Sequence, residues 1–120
     1  MTTAALSVAV YGAYLLANGV GLVLFPTLPL SLLGLPAANE PWARLFGLVA
    51  GELGFYFIFA ARKEFTEFLK ATVYGRAGAA AVFVLLVLLR LGPMQLLLFA
   101  AVDALAAAWT LLALRRASAT

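Results

Sequence analysis

The chain has 120 residues, of which 66% are hydrophobic and 11% are charged, and its mean hydropathy is +1.08. Soluble domains are about half apolar and a quarter charged, so this composition excludes an ordinary soluble domain and indicates an integral membrane protein. The absence of cysteine and histidine excludes disulfides, thiolate catalysis, the usual zinc sites and histidine-ligated haem. We therefore expect no metal and no cofactor.

Four apolar stretches are long enough to cross a bilayer, which takes about 20 residues. Pro26 ends the first stretch because proline cannot continue a helix cheaply, and Gly92-Pro93 forms a turn before the last. The first run is also longer than the apolar part of a signal peptide, so we expect it to be retained. The sequence predicts an all-α fold, an integral membrane antiparallel four-helix bundle, as a single transmembrane domain. Its predicted spans are residues 4–25, 42–61, 68–89 and 94–114.

Two connections between the spans have unusual compositions. Residues 26–41 hold four prolines among leucines, which predicts an interfacial loop that acts as a lid or short re-entrant piece. A loop merely packed on the bundle is the alternative, because irregular backbone at depth must be covered by protein. Residues 62–70 place Phe65, Phe68 and Leu69 at helical spacing among charges, which predicts an amphipathic connector at the other interface.

Basic residues divide unequally between the two sides of the predicted membrane. The side with both termini has six and the other side has two, so we expect both termini in the cytoplasm. The imbalance also argues against a dual-topology homodimer. Because orientation accounts for the positive charge, no nucleic-acid binding is expected. The six are Arg62, Lys63, Lys70, Arg76, Arg115 and Arg116, and the two are Arg44 and Arg90.

Small residues recur at helical spacing in every span. Helices in lipid associate largely through close packing at small side chains, so we expect these rows to be the helix contacts. The rows are Ala13, Ala17 and Gly21; Gly47, Gly51 and Gly54; Ala71, Gly75 and Ala79; and Ala100, Ala104 and Ala108.

Two carboxylates, Glu52 and Asp103, lie near the middle of apolar spans. A charge at that depth costs roughly 2.5–3.5 kcal/mol on insertion scales, so an intramembrane carboxylate is a functional hypothesis. Glu52 lies ten residues beyond Trp42 and Asp103 nine beyond Met94, which places both about 15 Å from a membrane face. Arg76 can reach toward this depth, and we expect it to pair with Asp103 or Glu52, leaving one carboxylate in excess.

A polar stripe on the first span faces the same region. Ser7, Tyr11, Tyr14 and Asn18 are separated by four, three and four residues and therefore share one helix face. The stripe and the carboxylates predict either a purely structural hydrogen-bonded cluster or a site for a ligand, with possible proton coupling. The ligand-binding or proton-coupled candidates are Glu52, Asp103, Arg76, Tyr14, Asn18, Tyr11, Tyr56 and Thr110; none is assigned as catalytic.

The surroundings of the two carboxylates differ. Glu52 has large neighbours such as Phe55 and Tyr56, whereas Asp103 has mostly small ones such as Ala100 and Ala107. We therefore expect a cavity beside Asp103 rather than beside Glu52.

Several short strings resemble small bacterial four-span proteins of the DoxX-like kind. They are Trp42-Ala-Arg-Leu-Phe-Gly47, Gly54-x-Tyr56, Tyr74-Gly-Arg76 and Asp103-x-x-x-Ala107-x-Trp109-Thr110. The resemblance implies a compact antiparallel four-helix bundle in a bacterial inner membrane. Some members of these families accompany redox or oxidase systems, and the resemblance carries over no catalytic residue.

Three functions compete. The first is binding or transport of a small apolar or amphipathic molecule by the midplane polar cluster. The second is an accessory or assembly subunit that packs against a membrane partner or a second copy of itself. The third is an intramembrane enzyme acting on a lipid or isoprenoid, with one carboxylate as acid and the other as base, but no motif supports it. In all three the lipid bilayer is a partner.

Overall fold

The computed structural model describes residues 1–35 and 40–119. Four of its helices are long and apolar enough to cross a membrane, and the described ranges contain no strand. The all-α fold class predicted from the sequence is confirmed. The helices are α1 (Thr3–Leu24), α2 (Thr27–Leu32), α3 (Glu40–Arg62), α4 (Thr66–Leu88) and α5 (Leu96–Ala119).

The chain divides into two compact units, which are described separately. The α1–α3 unit is Ala9–Phe59, and the α4–α5 unit is Met1–Val8 with Ala60–Thr120. Residues 3–8, the start of α1, thus belong with α4 and α5. That the whole chain forms a single domain stays a prediction.

Glycines bring α1 and α3 into backbone contact. A Cβ atom on Gly12 would lie 2.9 Å from the carbonyl oxygen of Gly54, and one on Gly19 would lie 2.5 Å from that of Gly47. The two contacts run in opposite directions along the chain, so the helices are antiparallel. The glycines are seven residues apart on each helix and therefore return to the same face every two turns.

This contact only partly matches the small-residue rows expected from the sequence. Gly47 and Gly54 lie in it, as predicted, but Ala13 and Ala17 are exposed. Its α1 side is formed by Gly12 and Gly19 instead, so the predicted row on the first span is wrong. A row of every fourth residue drifts around a helix, whereas a spacing of seven follows the seam between two helices.

An arginine closes the end of α1. The guanidinium of Arg44, on α3, donates a hydrogen bond to the carbonyl oxygen of Val23, one of the last-turn carbonyls that have no partner within the helix. The predicted loop 26–41 contains the short helix α2, which ends at Leu32 and is followed by Gly34 with φ 71°. Residues 36–39 of that loop lie outside the described residues.

Helices α4 and α5 pack antiparallel in their own unit. Near the middle of α4 the Arg76 guanidinium donates to the Thr110 hydroxyl, and nearer its end the rings of Phe83 and Phe99 lie 6.1 Å apart. On each helix the buried side chains share one face. The core between α4 and α5 therefore consists mainly of small and polar side chains. They are Leu69, Thr72, Val73, Arg76 and Ala80 on α4, and Ala100, Asp103, Ala107, Thr110 and Ala113 on α5.

The rows predicted for these two helices are wrong at most positions. Ala71 and Gly75 are exposed on α4, and Ala104 and Ala108 are exposed on α5. A Cβ atom on Gly75 would meet nothing within 4 Å. Arg76 and Asp103 lie on the buried faces of their helices, so most residues of the small-residue rows lie on the exposed faces.

The turn between α3 and α4 is shorter than the predicted connector 62–70. Only residues 63–65 separate the helices, and residues 66–70 form the start of α4. Glu64 adopts φ 53° and its N–H donates to the carbonyl of Ala61, while the Phe65 N–H donates to that of Ala60. These two bonds form the left-handed cap that ends many helices, usually on glycine.

The same glutamate holds the N-terminus of α1. The Thr2 N–H donates to Oε1 of Glu64 at 2.6 Å, and the Thr2 hydroxyl accepts from the Ala5 N–H at 3.1 Å as an N-cap. Hydrogen bonding of Thr2 to the carboxylate, by its backbone N–H first, lowers the pKa of Glu64 below its ordinary value. The contact therefore stabilises the fold at neutral pH, and this contribution is lost as pH falls through the lowered pKa.

Replacing Gly54 with alanine should destabilise the α1–α3 unit. The new Cβ would lie 2.5 Å from the carbonyl oxygen of Gly12 and 2.7 Å from the nitrogen of Leu16, so the backbones must separate. We expect a loss of about 1–3 kcal/mol, the usual cost of overpacking, measured by SDS titration in mixed micelles. Gly75→Ala is the control and should be neutral or stabilising by up to about 1 kcal/mol, because its site is open. Equal stability of the two variants would contradict the backbone contact.

Candidate functional site

Four side chains form a buried hydrogen-bonded group in the α4–α5 unit, here called the Arg76 cluster: Ser7, Thr72, Arg76 and Thr110. Arg76 is only 3% exposed. Its Nε donates to the Thr72 carbonyl at 3.0 Å, and its Nη2 donates to the Thr72 hydroxyl at 2.8 Å and to the Thr110 hydroxyl at 2.9 Å. The Thr110 hydroxyl also lies 2.6 Å from that of Ser7.

The positions of the protons in this cluster follow from the donors available. The Ser7 hydroxyl donates to the carbonyl of Ala4 at 2.7 Å, so its one proton is used. In the bond between the two hydroxyls, Thr110 must therefore be the donor and Ser7 the acceptor. The Thr110 hydroxyl itself accepts from Arg76, because a guanidinium can only donate. The chain of bonds runs from the cation through Thr110 and Ser7 to a backbone carbonyl.

Asp103 lies in the same unit and is 5% exposed. Among the described residues, Arg76 and Asp103 are the buried ionisable side chains. Opposite charges in one apolar unit lower the cost that either would have alone, which favours a structural role for both. Direct pairing of Arg76 with Asp103 or Glu52 stays a prediction.

The predicted tyrosine stripe lies mainly in the α1–α3 unit, where its members are half-buried. The Tyr11 ring lies 5.6 Å from that of Tyr14 and 5.8 Å from that of Phe57. The Asn18 amide donates to the Tyr14 carbonyl at 2.8 Å. Asn18 is thus engaged within its own helix, and Phe57 joins the tyrosines in a small aromatic group.

Glu52 has a different environment from Asp103. It lies near the middle of α3, is exposed, and borders an open cavity of about 480 Å³ between α1 and α3, here called the α1–α3 groove. Within the described part of the chain Glu52 makes no hydrogen bond or ion pair. The groove is lined by Leu16, Gly19, Val20, Val23 and Leu24 of α1 and by Gly47, Leu48, Gly51, Glu52, Phe55 and Tyr56 of α3.

The groove lies beside the glycine contact. Gly19, Gly47 and Gly51 line it, and Gly51 contributes open space, because a Cβ atom there would meet only Leu16 Cδ1 at 3.9 Å and Gly19 Cα at 4.0 Å. Larger side chains on either side, such as Val20 and Phe55, form its walls. The lining is almost entirely apolar apart from Glu52 and the Tyr56 hydroxyl, so this carboxylate is the groove's single charged group.

The cavity lies beside Glu52, not beside Asp103 as expected. Asp103 borders neither this groove nor the other large cavity described below. Its small neighbours Ala100 and Ala107 are buried, as expected where small side chains let helices pack closely. The large side chains of Phe55 and Tyr56 beside Glu52 are exposed instead and border the open groove.

A second cavity, of about 650 Å³, lies in the α4–α5 unit beside the start of α1. Glu64 and Arg116 border it together with Trp109 and Thr2. Both charges are on the surface, and Glu64 already accepts the hydrogen bond from Thr2. Sequence reasoning missed this cavity because it depends on the position of the α3–α4 turn.

Of the eight candidate residues, the structure groups Arg76 with Thr110 and Glu52 with Tyr56, in separate units. Sequence reasoning missed Thr72, although its position four residues before Arg76 places it on the same face. It also missed the α1 wall of the groove, for which the signal is apolar residues flanking Gly19. No group of three or more metal-ligating side chains occurs within residues 1–35 and 40–119.

Comparisons of the chain with protein-family models, curated proteins and solved structures find no match. The resemblance to DoxX-like proteins stays a prediction, and any function must be argued from the two groups of residues described above.

The direction of the hydrogen bonds predicts unequal costs for two substitutions in the Arg76 cluster. Thr110→Val removes an acceptor from a buried guanidinium and should cost about 2–3 kcal/mol, whereas Ser7→Ala removes a neutral acceptor and should cost about 1 kcal/mol. Both free energies of unfolding can be measured by SDS titration in mixed micelles. Thr3→Val, at an exposed hydroxyl, is the control. A larger loss for Ser7→Ala than for Thr110→Val would reverse the inferred order of donors.

Proposed function

We propose that this chain is a membrane protein that binds a small amphipathic molecule in the α1–α3 groove, with Glu52 as the polar anchor. The observation that carries the proposal is the position of Glu52: an exposed carboxylate in mid-helix, in an apolar groove, that makes no hydrogen bond or ion pair within the described residues.

The groove has the dimensions and chemistry of a small-molecule site. Such sites measure about 300–1,000 Å³ and combine apolar walls with a few polar groups that orient the ligand. The α1–α3 groove, at about 480 Å³ with one carboxylate, meets both conditions. Its lining includes Gly19 and Gly47 of the α1–α3 backbone contact.

Energetics favour a role in binding over a role in the fold. An apolar residue in place of Glu52 would avoid the cost of about 2.5–3.5 kcal/mol for a carboxylate at this depth, and no described partner recovers that cost. The Arg76 cluster, by contrast, is buried and hydrogen-bonded. We therefore assign Glu52 to function and the Arg76 cluster with Asp103 to stability.

The groove supports binding better than catalysis. An acid–base mechanism needs two groups within reach of one substrate, and Asp103 does not border the groove. Tyr56 is the other polar side chain of its wall. The open side of the groove lets a bilayer-soluble molecule enter laterally, without passing through water.

Filling the groove should abolish binding. Val20 lines it and is 50% exposed, whereas Val10, on the same helix, is 48% exposed and lies outside it. We expect protein purified from its native membrane to carry a small molecule, detected by mass spectrometry of an organic extract. Val20→Trp should lose this molecule and Val10→Trp should keep it. Identical extracts from the two variants would contradict the proposal.

A further inference from the structure

We propose that the ligand of the α1–α3 groove is an organic cation with an apolar body, and that it exchanges with a proton on Glu52. This inference rests on the proposed function and adds the charge of the ligand and its coupling to protons.

The lining of the groove determines which charge it accepts. Glu52 is the single carboxylate there, and the lining offers no cationic side chain to balance it. In apolar surroundings a carboxylate is stabilised by a positive charge beside it. An anionic ligand would place two like charges together, and a neutral ligand would leave the ionised form uncompensated. Of the three kinds of ligand, only a cation therefore stabilises the ionised carboxylate.

The aromatic wall selects an organic cation over a metal ion. Phe55 and Tyr56 follow Glu52 by three and four residues and therefore lie on its face of the helix. Their ring centroids are 5.8 Å apart, and the residues are 59% and 53% exposed, so ring faces are available for cation–π contact. Hard metal ions need several oxygen ligands, whereas the groove offers one carboxylate.

A proton and the cation compete for the same oxygen atoms. When the cation binds the protonated site, the carboxylic O–H bond breaks, the proton leaves to water, and the carboxylate pairs with the ligand. Charge balances because one positive charge enters as one departs. Binding therefore strengthens as pH rises, and acidification releases the ligand.

Tetraphenylphosphonium is a suitable probe because its charge is surrounded by apolar rings. Triphenylphosphine oxide serves as the neutral analogue and tetraphenylborate as an anion of the same shape. Binding to the purified chain in detergent micelles can be measured by equilibrium dialysis, with protein-free micelles subtracted. We expect the affinities to fall in the order cation, neutral analogue, anion, and the affinity for the cation to fall as the pH is lowered, because protons compete for the same carboxylate.

Two matched substitutions test the role of the carboxylate. Glu52→Gln should lower the affinity for the cation about tenfold or more and leave the affinity for the neutral analogue unchanged, because only the charge pair is lost. Glu67→Gln makes the same chemical change at a surface residue paired with Lys70 and should change neither. Glu52→Asp keeps the charge and should retain pH-dependent binding. Proton release into a weakly buffered solution should follow cation binding to the wild type.

Each failure has a distinct meaning. If cation and neutral analogue bind equally, independently of pH and of Glu52→Gln, the cation inference is wrong but binding in the groove stands. If the wild type binds neither, the proposed function is wrong as well. If Glu52→Gln no longer binds the neutral analogue, the substitution has disrupted the groove itself. The test is then the pH dependence of cation binding to the wild type, and its absence overturns the inference.

Discussion

The backbone contact between α1 and α3 is the constraint on which the rest of the α1–α3 unit depends. Gly12 faces Gly54 and Gly19 faces Gly47 so closely that any side chain would separate the helices. Lipid offers no hydrophobic force to hold helices together, so close approach must supply the stability through packing. The groove lies beside this contact, and Gly19 and Gly47 belong to both.

Glu52 and Asp103 have different environments because one is exposed on its helix and the other is buried. Asp103 is buried in the unit that contains Arg76, where the hydroxyls of Ser7, Thr72 and Thr110 complete a hydrogen-bonded cluster. Glu52 lies at the surface of α3 beside the groove. Opposite charges within one apolar unit favour a structural role for Arg76 and Asp103, whereas Glu52, which has no hydrogen bond or ion pair among the described residues, is the proposed site for a ligand.

Hydropathy predicted the four long helices well, because about 20 apolar residues with a charge or proline at each end have few alternatives in a bilayer. The rotation of each helix was harder to predict. Both faces of a membrane helix are apolar, so small residues spaced by four gave the wrong face for α4, where burial of Arg76 turns Gly75 outward. The groove required knowing that Gly19 meets Gly47, a pairing between distant residues that no local pattern contains.

The division of roles between the carboxylates can be tested in the native membrane with dicyclohexylcarbodiimide. This reagent dissolves in lipid and modifies protonated carboxyl groups that it can reach. Peptide mapping by mass spectrometry then reports the modified residue. We expect Glu52 to be modified and Asp103 to be protected, because Glu52 is exposed and Asp103 is 5% exposed. Modification of Asp103 with Glu52 intact would contradict the assignment of Glu52 to function and Asp103 to the fold.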